Sequence, residues 1–244
     1  MAPKRRQPAP TSNFTPVTLP PPRAFTRSFL SRAGLGAYLD SPTSFPQQVL
    51  YHNEHFVAIN DLYPKSSVHT LLLPCSATHT LQHPTVALAD APFLASIRAE
   101  IPNLVKLVAT ELRRRYGQYS VKEKARREAM ERGAPKEELP IGRDWEAEVM
   151  VGMHAGPSMD NLHIHVLSRD RFSECLKRRK HYNSFATEFL VKLNEFPLTE
   201  GEVHKRCNGL RADLVCWRCG KNFGNKMARL KEHLAEEFEA WKRE

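Results

Sequence analysis

The sequence lacks the long apolar runs that membrane proteins need. No stretch of its 244 residues approaches the roughly 18 consecutive apolar residues of a membrane-spanning helix. Residues 1–22 are rich in proline and have no apolar core of the kind found in a secretory signal peptide. These two absences predict an intracellular protein that has no membrane partner.

Cysteine is also scarce, and its number is odd. Of the five cysteines, Cys216 and Cys219 form a tight pair, whereas Cys75, Cys175 and Cys207 are scattered. A disulfide framework is expected to use an even number of cysteines. The distribution instead favours reduced thiols and one metal site.

Acidic residues are outnumbered by basic ones. The chain has 36 Lys and Arg against 27 Asp and Glu, which gives a formal net charge of +9. Such an excess favours a polyanionic partner, and a basic surface that only keeps the protein soluble is the alternative. Charge alone does not distinguish DNA from RNA or from an acidic protein.

The N-terminal region changes character within forty residues. Residues 1–24 carry a basic cluster at positions 4–6 in a proline-rich run with too little apolar content to pack. We expect a disordered tail there, with the cluster as a nuclear import signal. Residues 25–39 have the apolar spacing of a short amphipathic helix. Core packing explains its Phe29, and a wedge against the end of a DNA duplex is the alternative.

A region of alternating strands and helices follows, without internal repeats. Its middle part, 117–145, is dense in Lys, Arg and Glu, and we interpret it as a solvated charged helix and loop inserted between core elements. A DNA-contacting arm is the alternative interpretation of this insertion. Strand patterns lie at 48–51, 56–59, 69–73, 147–153 and 162–168, a turn at 61–65, and helical patterns at 94–116 and 226–241.

Two histidines share one face of the last predicted strand. Because side chains alternate along a strand, Leu162, Ile164 and Val166 are expected in the core, with His163 and His165 together on the opposite face. One imidazole of such a pair can attack phosphorus while its neighbour donates hydrogen bonds to the phosphate oxygens. Two surface histidines, or a pair of metal ligands, are the alternatives.

The turn before that strand reads Gly156-Pro157-Ser158, and it offers a hydroxyl and backbone N–H donors to the same phosphate. The strand itself, from Asn161 to Leu167, resembles the His-φ-His-φ-His-φ-φ motif of the histidine-triad superfamily, where φ is apolar, and specifically its aprataxin branch. Asn161 replaces the first histidine and can still donate and accept hydrogen bonds.

The resemblance covers most of the chain from about residue 25 and implies roles for further residues. The histidine matching the family's nucleophile is His165, with His163 beside it, and His154 matches an additional histidine placed to assist the leaving group. In the segment that resembles the family's nucleotide-binding turn, Asp61 would hold the ribose hydroxyls. The resemblance also implies nucleotide or phosphate contacts for Lys65, His69, Ser158 and Asn161.

The basic segment from Cys175 to Phe185 resembles the loop with which aprataxins grip the DNA phosphate. Four consecutive basic residues beside two aromatic ones favour nucleic acid, and a solvated basic turn is the alternative. The DNA-binding residues implied by this resemblance are Lys177, Arg178, Arg179, Lys180, His181 and Ser184.

A Cys-x-x-Cys pair before a helix that carries histidine is typical of a zinc finger. Cys216 and Cys219 would bind one structural Zn²⁺ together with His233. The fourth ligand is Glu236 or Glu237, and the i, i+4 spacing from His233 favours Glu237. This set resembles the Cys-Cys-His-Glu finger of fungal aprataxins. A catalytic zinc with three protein ligands and a water is the alternative.

The resemblance implies an α+β fold. A histidine-triad antiparallel sheet with flanking helices would occupy 25–195, and a small DNA-binding zinc-finger module would occupy 196–244. The expected protein is a DNA-repair hydrolase of the nucleus, with the cytoplasm as the alternative location. It would remove AMP from 5′-adenylated ends of nicked or double-stranded DNA through a covalent nucleotidyl-histidine and leave a 5′-phosphate. The alternatives are a small-molecule histidine-triad nucleotide hydrolase and a non-catalytic nucleic-acid-binding protein.

Overall fold

The computed structural model describes residues 32–244. Within that range the chain forms an antiparallel sheet of six strands in the order β1-β2-β3-β5-β4-β6, so that β5 lies between β3 and β4. The strands are β1 Val49–His52, β2 Phe56–Asn60, β3 His69–Pro74, β4 Val149–His154, β5 Ile164–Ser168 and β6 Leu190–Val191.

Five of these strands begin and end within two residues of the predicted positions. The sixth, β6, was not predicted, because two residues are too few to show a period of two. Seven α-helices accompany the sheet in the described range. They are α1 Gly36–Asp40, α2 Pro84–Ala87, α3 Ala91–Tyr116, α4 Val121–Glu131, α5 Arg179–Ala186, α6 Glu200–Cys207 and α7 Met227–Arg243.

The sheet is buried on both faces. The long helix α3 packs its apolar stripe against one face, where Ile164 and Val166 of β5 join the main core. On the other face α1 covers a smaller apolar cluster that contains Ile59 and Leu71. His165 pairs with Leu71 across the strands, and so its side chain lies on this second face.

Helix α3 begins earlier than its apolar spacing predicts. The side chain of Asp90 caps the helix by accepting a hydrogen bond from the backbone N–H of Phe93, and Pro92 occupies the first turn. Asp90 and Pro92 do not belong to the apolar stripe of the helix. The apolar spacing therefore predicted a start at Leu94, whereas the helix begins at Ala91.

The charged insertion contains the predicted helix, α4, but one part of that prediction was wrong. Glu123 is buried, whereas we expected a solvated helix. Its carboxylate accepts hydrogen bonds from Trp145 Nε1 at 3.0 Å and from Arg113 at 3.1 Å. The insertion is therefore anchored to the end of α3, because a buried carboxylate is stable only when it is paired.

The C-terminal helix α7 completes the main core. Phe238 and Trp241 lie in the same buried cluster as the sheet residues, and both rings pack edge-on against Tyr116 of α3. The indole N–H of Trp241 donates to Glu148 at 2.7 Å, beside the start of β4. The zinc module and the sheet therefore share one hydrophobic core. Aromatic packing of this kind contributes about 0.5–1.5 kcal/mol per pair beyond the area buried.

Of the predicted N-terminal helix at 25–39, the structure shows α1 at its C-terminal end. The predicted tail, its import signal and Phe29 lie outside the described residues. Among residues 32–244, no helix combines the length and the apolar character needed to cross a membrane.

Candidate active site and zinc centre

Four histidines from three adjacent strands meet on the α1 side of the sheet. His69 is the first residue of β3, and His154 is the last residue of β4. His163 directly precedes β5, and His165 is the second residue of that strand. The ring centroid of His165 is 4.3 Å from that of His154, 4.9 Å from that of His163 and 5.2 Å from that of His69. The pairing of β5 with both neighbouring strands therefore places His165 at the centre of the cluster.

A hydrogen bond joins two of these imidazoles. His69 Nε2 lies 3.0 Å from His165 Nδ1, and His69 Nδ1 accepts the backbone N–H of Lys65 at 3.0 Å. The carboxylate of Asp61 is 3.3 Å from the same Nδ1 atom and also accepts the N–H of Tyr63. Asp61, His69 and His165 thus form a line that runs from the turn after β2 to the centre of the cluster.

The remaining ring nitrogens differ in their partners. His163 Nδ1 donates to the backbone carbonyl of Asn161 at 2.7 Å, which leaves the Nε2 lone pair of neutral His163 unused. The Nε2 atoms of His154 and His165 are buried and have no hydrogen-bond partner among the described residues. Two unsatisfied nitrogens at one place indicate a site that is completed by a ligand.

Burial keeps the cluster uncharged. It is the largest cause that lowers the pKa of His69 to about 4, despite the nearby Asp61 carboxylate, and it also lowers the pKa of His163. The pKa values of His154 and His165 fall well below the ordinary range, again because of burial first and then because of neighbouring imidazoles and Lys65. The histidines are therefore neutral bases at physiological pH.

The cluster opens into a cavity of about 690 Å³. His154, His163 and His165 line it, whereas His69 lies behind His165. Other predicted residues surround the opening and give it a basic rim. These lining residues are Asp61, Lys65, Ser158, Lys177, Lys180, His181 and Ser184.

Besides His69, three predicted site residues do not line the cavity. The side chain of Asn161 is buried behind it, and its contribution to the cluster is the carbonyl that orients His163. Arg178 and Arg179 lie at the beginning of α5, outside the lining. The interpretation of this basic segment as a loop was wrong for Arg179–Ala186, which is helical. Its buried face, which includes Tyr182 and Phe185, repeats at helical spacing within a stretch too short to be recognised from periodicity.

One wall of the cavity is apolar, and the sequence did not indicate it. Leu35, Tyr38, Ile59, Leu71 and Met159 come from α1, two strands and the turn before β5. They belong to or pack against the smaller apolar cluster under α1. An apolar wall beside a cluster of imidazoles suits a nucleotide, with the base on the wall and the phosphate at the imidazoles. No sequence motif marks this wall, because its members are far apart in the chain.

The predicted zinc ligands converge in the C-terminal part of the chain. Cys216, Cys219, His233 and Glu237 offer ligand atoms that all lie within 4.8 Å of one another. Cys219 Sγ is 3.1 Å from His233 Nε2, and Glu237 Oε1 is 3.2 Å from the same nitrogen. Two thiols, an imidazole and a carboxylate at these separations fit a tetrahedral Zn²⁺. Glu236 is not part of the set, since its carboxylate is exposed and 3.9 Å from His233 Nδ1.

Arg218 orients the carboxylate of this set. Its guanidinium donates to Glu237 Oε2 at 2.6 Å, while Glu237 Oε1 faces His233, so that one oxygen remains for the metal. This hydrogen bond is the largest cause that lowers the pKa of Glu237. The other arm of Arg218 contacts Glu244 at the end of α7. Arg218 thus links the segment of the two cysteines to Glu237 and to the C-terminal end of α7.

Two families match the chain. The HIT domain family matches residues 43–172, and the family of C2HE, C2H2 and C2HC zinc-binding fingers matches residues 186–240. The fold and the site therefore define a histidine-triad protein with a C-terminal zinc finger. This confirms the predicted fold class, the single structural zinc and the choice of Glu237 as its fourth ligand.

Individual relatives identify which branch of the histidine-triad proteins the chain belongs to. The aprataxin-like protein of Schizosaccharomyces pombe is 33% identical over 211 residues, which cover 86% of this chain and 82% of the relative. That of Saccharomyces cerevisiae is 33% identical over 214 residues, covering 85% and 95%. The crystal structure of the aprataxin ortholog Hnt3 in complex with DNA matches with a TM-score of 0.68 and 31% identity, over 86% of this chain and 96% of that one. The chain belongs to the aprataxin family.

Proposed function

We propose that the protein is a DNA-repair hydrolase that removes AMP from 5′-adenylated DNA ends. The observation that carries the proposal is the buried imidazole cluster around His165, placed between an apolar wall and a basic rim on one cavity. An apolar wall suits the base of AMP, the cluster suits its phosphate, and the rim suits the DNA strand. The related Hnt3 is described in complex with DNA, and also with DNA and guanosine.

His165 is the proposed nucleophile. Its Nε2 attacks the adenylate phosphorus, the bond from that phosphorus to the bridging oxygen breaks, and the electron pair leaves with the 5′-phosphate of the DNA. This requires the tautomer in which His165 carries its proton on Nδ1 and donates it to His69 Nε2. His69 then donates from Nδ1 to Asp61, at the 3.3 Å contact. In the structure the same nitrogen accepts the Lys65 N–H, so the reactive tautomer requires that His69 Nδ1 exchange this contact for the one to Asp61.

Three groups surround the reacting phosphate. Ser158 offers a hydroxyl at the cavity wall. His163 can donate from Nε2 only as an imidazolium, because its Nδ1 proton is committed to Asn161; a bound phosphate anion favours that protonated form. His154, whose Nε2 has no partner among residues 32–244, is placed to protonate or stabilise the departing phosphate, and it does so as an imidazolium, the form that a phosphate anion favours.

Water completes the cycle. It attacks the same phosphorus in the nucleotidyl-histidine, the P–N bond breaks, and the electron pair returns to His165 Nε2. AMP leaves as the product, and the DNA retains a 5′-phosphate. The zinc ion is structural in this proposal, because its ligands close a tetrahedral set within the finger and leave no position for substrate.

The DNA strand would follow the basic rim. Lys177, Lys180, His181 and Ser184 face the cavity, and Arg178 and Arg179 extend the positive surface beyond it. Phosphate contacts of this kind supply affinity without sequence preference. A repair substrate of this type places the protein's work in the nucleus, and the import signal that we predict at positions 4–6 is consistent with that location.

The test is a gel assay with nicked duplex DNA that carries AMP on its 5′-phosphate, in a buffer that contains EDTA. Wild type should release the 5′-phosphate end, and His165→Ala should reduce turnover by at least about a thousandfold while DNA binding and zinc content persist. The control is His83→Ala, which removes a histidine of the α2 cap that does not line the cavity.

Other outcomes would assign other functions. Preference for a free dinucleotide polyphosphate over adenylated DNA would support the small-molecule histidine-triad hydrolase. DNA binding without any turnover would support the binding-only protein, and either result contradicts the proposal.

A further inference from the structure

One aromatic ring touches three of the four clustered histidines. The ring centroid of Phe185, on α5, lies 5.3 Å from that of His69, 4.8 Å from His154 and 5.0 Å from His165. The contacts with His69 and His165 are close to perpendicular, at 83° and 86°. The side chain is 4% exposed. Phe185 therefore packs directly on three imidazoles and restricts the orientations that their rings can adopt.

Phe185 borders two cavities. It lines the catalytic cavity and also a second cavity of about 550 Å³. The second cavity lies beside β4 and β6 and includes Val151 and Leu190. A smaller side chain in place of this ring would leave space beside His154 and His165, and water could enter it.

The backbone that carries the ring is fixed from the zinc-finger side. The carbonyl of Phe185 accepts two hydrogen bonds from the buried guanidinium of Arg171, from Nη2 at 2.9 Å and Nε at 3.3 Å. Arg171 in turn lies 5.4 Å from the ring centroid of Trp217, between the two zinc-binding cysteines. One turn earlier on α5, the hydroxyl of Tyr182 accepts a hydrogen bond from the backbone N–H of Trp217 at 2.9 Å.

We propose that Phe185 is a positioning residue for the reaction: its ring aligns His69, His154 and His165 and keeps water out of their contacts. The inference rests on the proposed function, because it concerns the same site. Charged and titratable groups face His165 from several elements. They are His69 from β3, His154 from β4, His163 beside β5, and Lys65 and Asp61 from the turn after β2.

The set of charged and titratable groups stays the same when only the ring is changed. Of the causes that lower the pKa of His165, burial is the largest, and Phe185 is one of the side chains that produce it. Replacing the ring therefore changes the burial of the imidazoles and leaves their charged neighbours unaltered. The expected consequence is protonation of His165 at higher pH, and a protonated imidazole has no lone pair for attack.

The test compares Phe185→Leu with Phe56→Leu. Phe56 is also 4% exposed, but it lies on β2 in the main core and lines neither cavity. The acid limb of the activity–pH profile on adenylated nicked DNA should move up by about one pH unit in Phe185→Leu, which is a loss of about tenfold at pH values below the limb. Phe56→Leu should keep the wild-type limb.

A second readout needs no substrate. In protein with ¹³C-labelled histidine, the NMR titration of the His165 imidazole, assigned with His165→Ala, should show a higher pKa in Phe185→Leu than in wild type. Equal titrations, or an equal shift in Phe56→Leu, would overturn the proposal. Should Phe185→Leu not fold by circular dichroism, Phe185→Met takes its place. Wild type that lacks activity on adenylated DNA contradicts the proposed function, and the titration still decides the role of Phe185.

Discussion

The catalytic pocket and the zinc centre both depend on histidine, and they hold it in opposite ways. In the pocket, packing and hydrogen bonds bring four imidazoles together, and the side chain of His69 is fully buried. At the zinc centre His233 is 16% exposed, and two thiols and a carboxylate converge on the same point. A metal supplies the free energy in the second case, whereas hydrophobic burial must supply it in the first.

The difference explains what each site can do. A histidine that binds zinc is fixed by the metal, and its second nitrogen is unimportant for the reaction. A histidine that is desolvated without a metal keeps a reactive lone pair, at a cost in stability whenever protons are abundant. The molecule therefore has one site that stabilises the fold and one that weakens it in exchange for reactivity.

Removing a zinc ligand should have the largest effect on stability. Cys216→Ser is expected to abolish zinc binding and unfold the finger, since Cys216 also belongs to the small core with Leu214, Leu230 and Leu234. Structural zinc sites contribute about 10–16 kcal/mol in isolated finger peptides, so a loss of several kcal/mol is expected here. Zinc content by mass spectrometry and thermal unfolding measure it. Cys75→Ser is the control, and a variant that keeps its zinc and its Tm would remove Cys216 from the ligand set.

A change at Asp61 should affect catalysis in the pocket without affecting zinc binding in the finger. Asp61→Asn should lower kcat/KM on adenylated DNA by about a hundredfold, or about 2.7 kcal/mol, with zinc content unchanged. A fall in kcat supports its role beside His69, whereas a rise in KM alone supports contact with the ribose hydroxyls. Asp144→Asn, at an exposed turn cap, is the matched control. Wild-type kinetics in Asp61→Asn would exclude both roles.

Acid should lower the stability of the fold through the histidines of the pocket. The pKa values of His69, His154, His163 and His165 are lowered in the fold, so the unfolded chain binds more protons below its ordinary histidine pKa. Stability is therefore retained above about pH 6.5 and lost as the pH falls from there towards 4, by up to about 1.4 kcal/mol per histidine and pH unit.

Urea unfolding at a series of pH values measures this loss, with zinc content followed in parallel. The triple variant His69→Gln, His154→Gln and His163→Gln should show a shallower slope than wild type if it folds. A slope that is the same in both proteins would place the proton uptake elsewhere.

The smallest effect is expected at the basic rim. Lys180→Ala should weaken DNA binding a few-fold and reduce the dependence of log K on log salt by about one unit, because one phosphate contact is lost. Fluorescence anisotropy with nicked duplex at several salt concentrations measures both. Lys122→Ala on α4 is the matched control, and an equal change in that variant would show a general effect of charge.

Local patterns predicted much of this molecule. Alternation around Ile164 located β5 and the shared face of His163 and His165, because a period of two is complete within one strand. The i, i+4 spacing on α7 selected Glu237, because helix geometry alone brings it to His233. Both predictions depend on distances within a single element.

Contacts between distant elements were not predictable in the same way. Phe185 looked like part of a DNA-gripping loop, since nothing near it in the chain indicates three histidines from other strands. Glu123 looked solvated among other charges, and only Trp145 and Arg113 make it an interior residue. Asn161 was predicted to contact the nucleotide, which stays a prediction, and the contact of its carbonyl with His163 was not foreseen.

The shared core around Trp241 has a consequence for the order in which the protein is made. The last strand of the sheet ends at Val191, and a ribosome has still to produce the whole zinc-finger module before Trp241 emerges. Until then Tyr116 and Trp145 lack their contacts with that indole. We therefore expect the main core to be completed only after the finger has been made, and a partly synthesised chain to be more prone to aggregation than the whole one.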